Sequence, residues 1–178
     1  LKKTVALVGM MGSGKTAVGG ALARMLDAPF LDSDAEIERA ANMTIAEIFS
    51  RDGEPFFRQK EAQVIARLLD NERCVLSTGG GAFMQAGNRA VISRLGVSLW
   101  LRAETGLLWS RVKHKTTRPL LRTDDPRATL EAIAAERNPV YALADLAVEA
   151  RADYSIEDMA GAVLAALRTR ADVLEEVQ

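Results

Sequence analysis

The chain has 178 residues, 48% hydrophobic and 26% charged, a composition that suits one globular domain with a sizeable core and excludes a disordered, collagen-like or coiled-coil chain. Its 23 Lys and Arg against 24 Asp and Glu leave a net charge of −1, which argues against general binding of nucleic acid. A single cysteine, Cys74, and a single histidine, His114, permit no internal disulfide and no histidine-rich metal cage, and a reducing compartment is the simplest fit.

Lys2-Lys3 and the run Thr4–Val8 open the chain like a leader, but the apolar run is short and breaks at Gly9 and Gly12. No stretch approaches the roughly 18 apolar residues of a membrane span. The expectation is a soluble cytoplasmic protein. Thr4–Val8 is instead the first predicted strand, followed by Gly9-Met10-Met11-Gly12-Ser13-Gly14-Lys15-Thr16, a match to G-x-x-x-x-G-K-[ST]. Glycines here let successive N–H groups curl toward phosphate oxygens, and the next helix adds its N-terminal dipole. Lys15 would reach the β- and γ-phosphates and Thr16 would ligate Mg²⁺. The helix is marked by Val18, Ala21, Leu22, Met25 and Leu26 at the spacing of a buried stripe. P-loop proteins include kinases, GTPases, motors and switches, so the motif leaves the acceptor open. The Asn-Lys-x-Asp motif of GTPases is absent from the sequence.

The second strand, Pro29–Asp32, leads into Asp32-Ser33-Asp34. Residues two apart at a strand end point the same way, which aims both carboxylates into the crevice beyond the strand tips. One would serve the Mg²⁺ shell and the other a substrate hydroxyl; the competing reading is a helix N-cap at Asp34. From Ser33 to Asn71 the pattern is helical but too long for one connection, predicting several helices. Within it, Gly53-Glu54-Pro55-Phe56-Phe57-Arg58 sets an arginine among aromatics, suited to gripping a planar carboxylate or to a structural pair with Glu61. Val64, Ile65, Leu68 and Leu69 mark a further buried stripe. The third strand, Arg73–Ser77, contains Cys74, expected to be a buried small hydrophobe. Thr78-Gly79-Gly80-Gly81 follows at once, as close approach of a ligand to backbone or as a bend.

After the fourth strand, Val97–Leu101, the segment Lys113 to Pro126 is polar and basic, with Arg118-Pro119-Leu120-Leu121 at its centre and Arg111 just before it. It reads as a solvated face or as a lid bringing Arg118 onto a transferring phosphate. Arg137 stands near the end of a predicted helix, where it would complement the dipole or bind an anion. The fifth strand is Leu146–Glu149. The last helix has Ser155 as N-cap with Asp158 three residues on, and Ile156, Met159, Val163, Leu164 and Leu167 on one face. Alternation of apolar strands and helices implies an α/β fold with a parallel sheet covered on both faces.

In order and spacing, Gly9–Thr16, Asp32-Ser33-Asp34, Ile45 to Phe49, Gly53 to Arg58, Gly79-Gly80-Gly81, Arg118-Pro119-Leu120-Leu121 and Arg137 with Pro139-Val140-Tyr141 resemble the shikimate kinases, small P-loop kinases of the nucleoside-monophosphate-kinase-like group. The resemblance spans residues 4 to about 149. It implies a single domain over residues 1–178, a three-layer P-loop fold with a five-stranded parallel sheet in the order 2-3-1-4-5, a helical substrate-binding subdomain at about 33–61 and a lid at about 113–126. It also implies transfer of the ATP γ-phosphate to the 3-hydroxyl of shikimate, with Mg²⁺, in a monomer that binds neither nucleic acid nor membrane.

By position, Lys15, Asp34 and Arg118 would be catalytic. Asp34, Arg58, Arg137, Gly79, Gly80, Gly81, Phe49 and Phe57 would bind shikimate, with Arg58 and Arg137 on its carboxylate. Gly12, Ser13, Gly14, Lys15, Thr16, Ala17, Arg111 and Arg118 would bind ATP, Arg111 against the adenine, while Thr16 and Asp32 would hold the metal. Residues 151–155 carry no specific match. A kinase for another polyol acid such as gluconate, or a nucleotide-binding module without catalysis, are the competing readings.

Overall fold

Strands as apolar as these have to be covered on both faces, and the chain does this by winding helices around one parallel sheet. The computed structural model describes residues 1–114 and 121–175. The strands are β1 (Thr4–Val8), β2 (Phe30–Asp32), β3 (Val75–Ser77), β4 (Gly96–Arg102) and β5 (Leu146–Glu149), in the order β2-β3-β1-β4-β5, every pairing parallel. β1 and β5 have the bounds expected from sequence. β2 begins one residue late, at Phe30, because Pro29 has no N–H to give the ladder; its carbonyl accepts from Val75 N at 2.9 Å.

The helices are α1 (Lys15–Met25), α2 (Ser33–Ala41), α3 (Ile45–Asp52), α4 (Glu54–Asn71), α5 (Ala86–Leu95), α6 (Thr105–Val112), α7 (Pro126–Tyr141) and α8 (Ile156–Leu167), with a 3₁₀ turn at Ala82–Met84. β1 is wholly buried, and its alternate residues separate the layers. Val5 and Leu7 pack with Leu22 of α1 and Val163 of α8, whereas Ala6 and Val8 face Ile65 of α4, Ile92 of α5 and Leu130 of α7. A third apolar cluster joins Ile37 of α2, Ile48 of α3 and Phe57 of α4 to Leu76 of β3 and to Cys74, which is fully buried as expected. Among the described residues no helix is long and apolar enough to cross a membrane.

Local chemistry sets the helix ends. Ser155 and Asp158 form a reciprocal capping box on α8, with hydrogen bonds of 3.0 and 3.1 Å. Asp125 caps α7 through Ala128 N, with Pro126 in its first turn. Two members of the expected stripes lie outside the core. Met25, the last residue of α1, is 46% exposed, because the chain turns away at Asp27 (φ 49°) and Leu26 packs inward instead. Ile156, the first residue of α8, is 47% exposed, since its face meets the sheet only from Met159 onward.

Parallel strands bring their carboxyl ends to one edge. The loop after β1, the β2–α2 junction and the loop after β3 therefore open on the same side, and Thr78 ties the third to the first by donating from its hydroxyl to Leu7 O at 2.8 Å. Two glycines elsewhere test the packing. A methyl group at Gly96 would stand 2.7 Å from Thr4 O in the paired strand, whereas one at Gly161 in α8 would meet nothing within 4 Å. Gly96→Ala should destabilise by about 1–3 kcal/mol through overpacking. Gly161→Ala should stabilise by about 0.5–1 kcal/mol through helix propensity. Urea melts of the two variants check the opposite signs.

Candidate active site

The loop between β1 and α1 bends through positive φ at Gly9 (147°), Gly12 (81°) and Gly14 (99°), angles that L side chains rarely adopt. The first glycine also has no room for a side chain, because a methyl there would lie 2.8 Å from Leu101 O. Ser13 N donates to Met10 O at 3.2 Å and closes the curl, and α1 starts at Lys15 with its N-terminal amides toward the loop. Lys15 Nζ donates to the carbonyls of Gly9 (2.5 Å) and Met10 (3.1 Å), so its ammonium lies against the loop. Arg111 approaches from α6 and donates to Gly12 O at 3.0 Å. The expected nucleotide groups are thus together, except Arg118, which lies outside the described residues, as does most of the core of the expected lid.

Asp32 and Asp34 do not share a strand end. Asp32 closes β2 and is the N-cap of α2, accepting from Ala35 N at 3.1 Å. The capping role read for Asp34 therefore belongs to Asp32, and Asp34 sits in the first turn of the helix with its carboxylate turned to the loop after β3. Between them, buried Ser33 accepts from Gly79 N at 3.1 Å and fixes that loop against α2.

The loop Gly79-Gly80-Gly81 is where the three acceptor-side residues converge. A methyl group at Gly79 would stand 2.7 Å from Asp34 Oδ1, one at Gly80 would stand 2.9 Å from an Arg137 guanidinium nitrogen, and one at Gly81 would collide with the Arg58 guanidinium at 2.8 Å from its carbon. Three consecutive missing side chains admit one functional side chain each. Tyr141, at the end of α7, donates from its hydroxyl to Gly80 O at 2.5 Å and holds the loop from the other side.

Both readings of Arg58 hold at once. It pairs with Glu61 at 2.8 Å, one turn along α4, and more loosely with exposed Glu54 at 3.5 Å, while its guanidinium lies over the Phe57 ring at 5.1 Å and against Gly81. Glu61 is only 1% exposed, and burial pushes its carboxyl above the usual range, opposed by the charge and hydrogen bond of Arg58. Phe57 is buried, and Phe49, 37% exposed, stacks on it with ring centres 4.8 Å apart.

Ser33, Thr78 and Tyr141 received no role from the sequence. Only Tyr141 left a signal there, four residues after Arg137 on a helix face.

Asp34 is the group whose electrostatics stand out. Burial and the neighbouring Asp32 charge raise its pKa to about 6, Lys15 pulls against them, Glu38 adds to the rise and Arg58 reduces it. A carboxylate poised near neutrality, in the field of Lys15 and Arg58, can accept or orient a hydroxyl proton at neutral pH. Thr16 and Asp32 offer hydroxyl and carboxylate oxygens, hard donors suited to Mg²⁺. Among the described residues no cluster of three His, Cys, Asp or Glu is placed to hold a metal ion.

A family model described as shikimate kinase matches residues 11–168. The chain is 67% identical over 175 residues to a shikimate kinase of Cereibacter sphaeroides, covering 98% of this chain and 87% of that one. It is 64% identical to one of Ruegeria pomeroyi, covering 98% and 90%. The fold superimposes on a shikimate kinase from Acinetobacter baumannii solved in complex with shikimate, with a TM-score of 0.88 and 37% identity over 94% of this chain and 93% of that one.

The raised pKa of Asp34 carries a cost in stability that can be measured. Its folded-state value lies above the unfolded one, so above about pH 6 the folded protein holds a charge that burial disfavours, and the penalty vanishes as pH falls below about 4. Asp34→Asn should therefore raise stability at pH 7 by on the order of 2 kcal/mol. The advantage should shrink steadily between pH 6 and 4, as read by urea melts across that range.

Proposed function

The chain belongs to the shikimate kinase family and has shikimate kinase activity in the shikimate pathway, using ATP; on that premise we propose that the loop Gly79–Gly81 is the floor of its shikimate pocket and that Asp34, Arg58 and Arg137 are the side chains that hold the substrate. The observation that carries this is the convergence of those three side chains on three successive glycines. Arg58 and Arg137 together match a carboxylate, each offering a planar fork of N–H donors. Asp34 offers an acceptor for ring hydroxyls. Phe49 and Phe57 supply the apolar wall.

In this reading Asp34 aligns the 3-hydroxyl and takes its proton as the oxygen attacks the γ-phosphorus of ATP, while the bond from that phosphorus to the β–γ bridging oxygen breaks and ADP leaves. Lys15 follows the charge on the transferring phosphoryl group, and Arg118 is assigned the same task from the sequence. The backbone of Gly12, Ser13, Gly14, Lys15, Thr16 and Ala17 cradles the phosphates, and Arg111 flanks the nucleotide. Thr16 and Asp32 would hold Mg²⁺, which neutralises phosphate charge when bound. Residues 33–61, comprising α2, α3 and the start of α4, form the substrate-binding subdomain of this proposal, and 113–126 its lid. A monomer is what the family resemblance leads us to expect, and the buried free thiol of Cys74 supports a reducing, cytoplasmic setting.

Mg-ATP turnover should be dependent on shikimate, with ³¹P NMR placing phosphate on the 3-hydroxyl. Turnover on gluconate or quinate instead would keep the phosphate site and overturn the acceptor pocket. The value of kcat/KM for shikimate should fall about tenfold per pH unit below about pH 6, as Asp34 gains its proton. Asp34→Asn should lower kcat by about a hundredfold or more and abolish that limb in a pH–rate profile.

A further inference from the structure

Tyr141 is the bulkiest of the fully buried side chains, packed with its ring 5.9 Å from that of Trp100 in β4. A phenol in that position needs partners for its one polar atom. Its O–H donates to Gly80 O at 2.5 Å. One turn earlier on α7, an Arg137 guanidinium nitrogen comes to the same place: it stands 2.9 Å, and the Tyr141 oxygen 3.8 Å, from where a Gly80 side chain would begin. Burial pushes the phenol pKa up, and the Arg137 charge opposes that rise. A single hydroxyl and the carboxylate-binding arginine thus converge on the floor of the pocket.

We propose that Tyr141 is a positioning residue for shikimate: through one hydroxyl it aims the Arg137 guanidinium and fixes the plane of the Gly80–Gly81 peptide on which Arg137 and Arg58 rest. The inference rests on the assignment of Arg137 to the substrate carboxylate. A guanidinium on a flexible stem has many rotamers, and bidentate recognition requires one of them. An acceptor anchored in the core removes that freedom before substrate arrives, which is preorganisation of the binding contact rather than of the chemical step. Because a peptide unit is planar and trans, holding the Gly80 carbonyl toward Tyr141 sends the Gly81 N–H the opposite way. The same hydroxyl therefore sets the direction of a backbone donor as well as a side chain.

The test is a double-mutant cycle with Tyr141→Phe and Arg137→Ala, read as KM for shikimate, KM for ATP and kcat. Tyr141→Phe keeps the ring and its packing and removes only the hydroxyl. It should raise KM for shikimate about tenfold, the value of roughly one hydrogen bond, with kcat and KM for ATP within about twofold. In the Arg137→Ala background the same change should add clearly less than tenfold, because one of the two groups it aims is gone and only the Gly80–Gly81 peptide is left to it.

An unchanged KM in Tyr141→Phe, with Arg137→Ala still strongly impaired, overturns the positioning role and leaves the pocket assignment standing. Effects that multiply in the double variant overturn it too, since the hydroxyl would then act independently of Arg137. A normal KM in Arg137→Ala refutes the pocket assignment itself. If Tyr141→Phe loses near-ultraviolet circular dichroism, the cycle is run with Tyr141→Trp, whose indole N–H can donate to Gly80 O but cannot accept from Arg137. KM for shikimate should still rise, and a normal value there overturns the proposal.

Discussion

The distance of closest approach at Gly79, Gly80 and Gly81 governs the geometry of this molecule's chemistry. Asp34, Arg137 and Arg58 come from three helices that share no stretch of sequence, yet each lies where a side chain on that loop would stand. Any Cβ added there must push one of them away. The loop in turn is held by Ser33 from α2, by Thr78 on the β1 carbonyl of Leu7 and by Tyr141 from α7. Opposite charges are thereby brought together around backbone rather than around bulky side chains, and the charges of Lys15 and Arg58 offset part of what burial does to Asp34.

That mixture follows a consistent division of labour. Glu61 is buried with Arg58 and one of its oxygens has no hydrogen-bond partner among the described residues. A buried pair of this kind is a weak source of stability, because desolvation offsets most of the attraction. Its value here is directional: it holds one guanidinium nitrogen of Arg58 and so keeps the group against Gly81. Asp34 likewise weakens the fold at neutral pH. The stability surrendered at the site is supplied by the three apolar clusters that flank the sheet.

Much of this was legible from residues alone, and for local reasons. The strand bounds of β1 and β5, the phosphate loop and the α8 cap each depend on contacts within a few positions, which spacing encodes. The glycine run was readable as close approach, though not what approached it. The strand-end argument for Asp34 reached the right region by the wrong geometry, because capping by Asp32 starts α2 two residues earlier than alternation assumes. Met25 and Ile156 were misplaced because periodicity says which face is apolar but not where a neighbouring element stops. Tyr141 reaches Gly80 across 61 positions of sequence, a link that no periodicity or motif states without coordinates.

The sheet order also bears on how the chain is born. β1 lies at the centre of the sheet, and its two neighbours are β3 and β4, made far later than itself. On a ribosome, the strand that carries the phosphate loop emerges well before both of its partners, with both edges open. It has no partner until Val75 and then Gly96 have been synthesised. At roughly 5–20 residues per second, that is an interval of several seconds in which an apolar segment can pair with a stranger. Lys2 and Lys3, directly ahead of it, put two like charges beside the exposed edge for that interval, the kind of gatekeeper that keeps such strands apart.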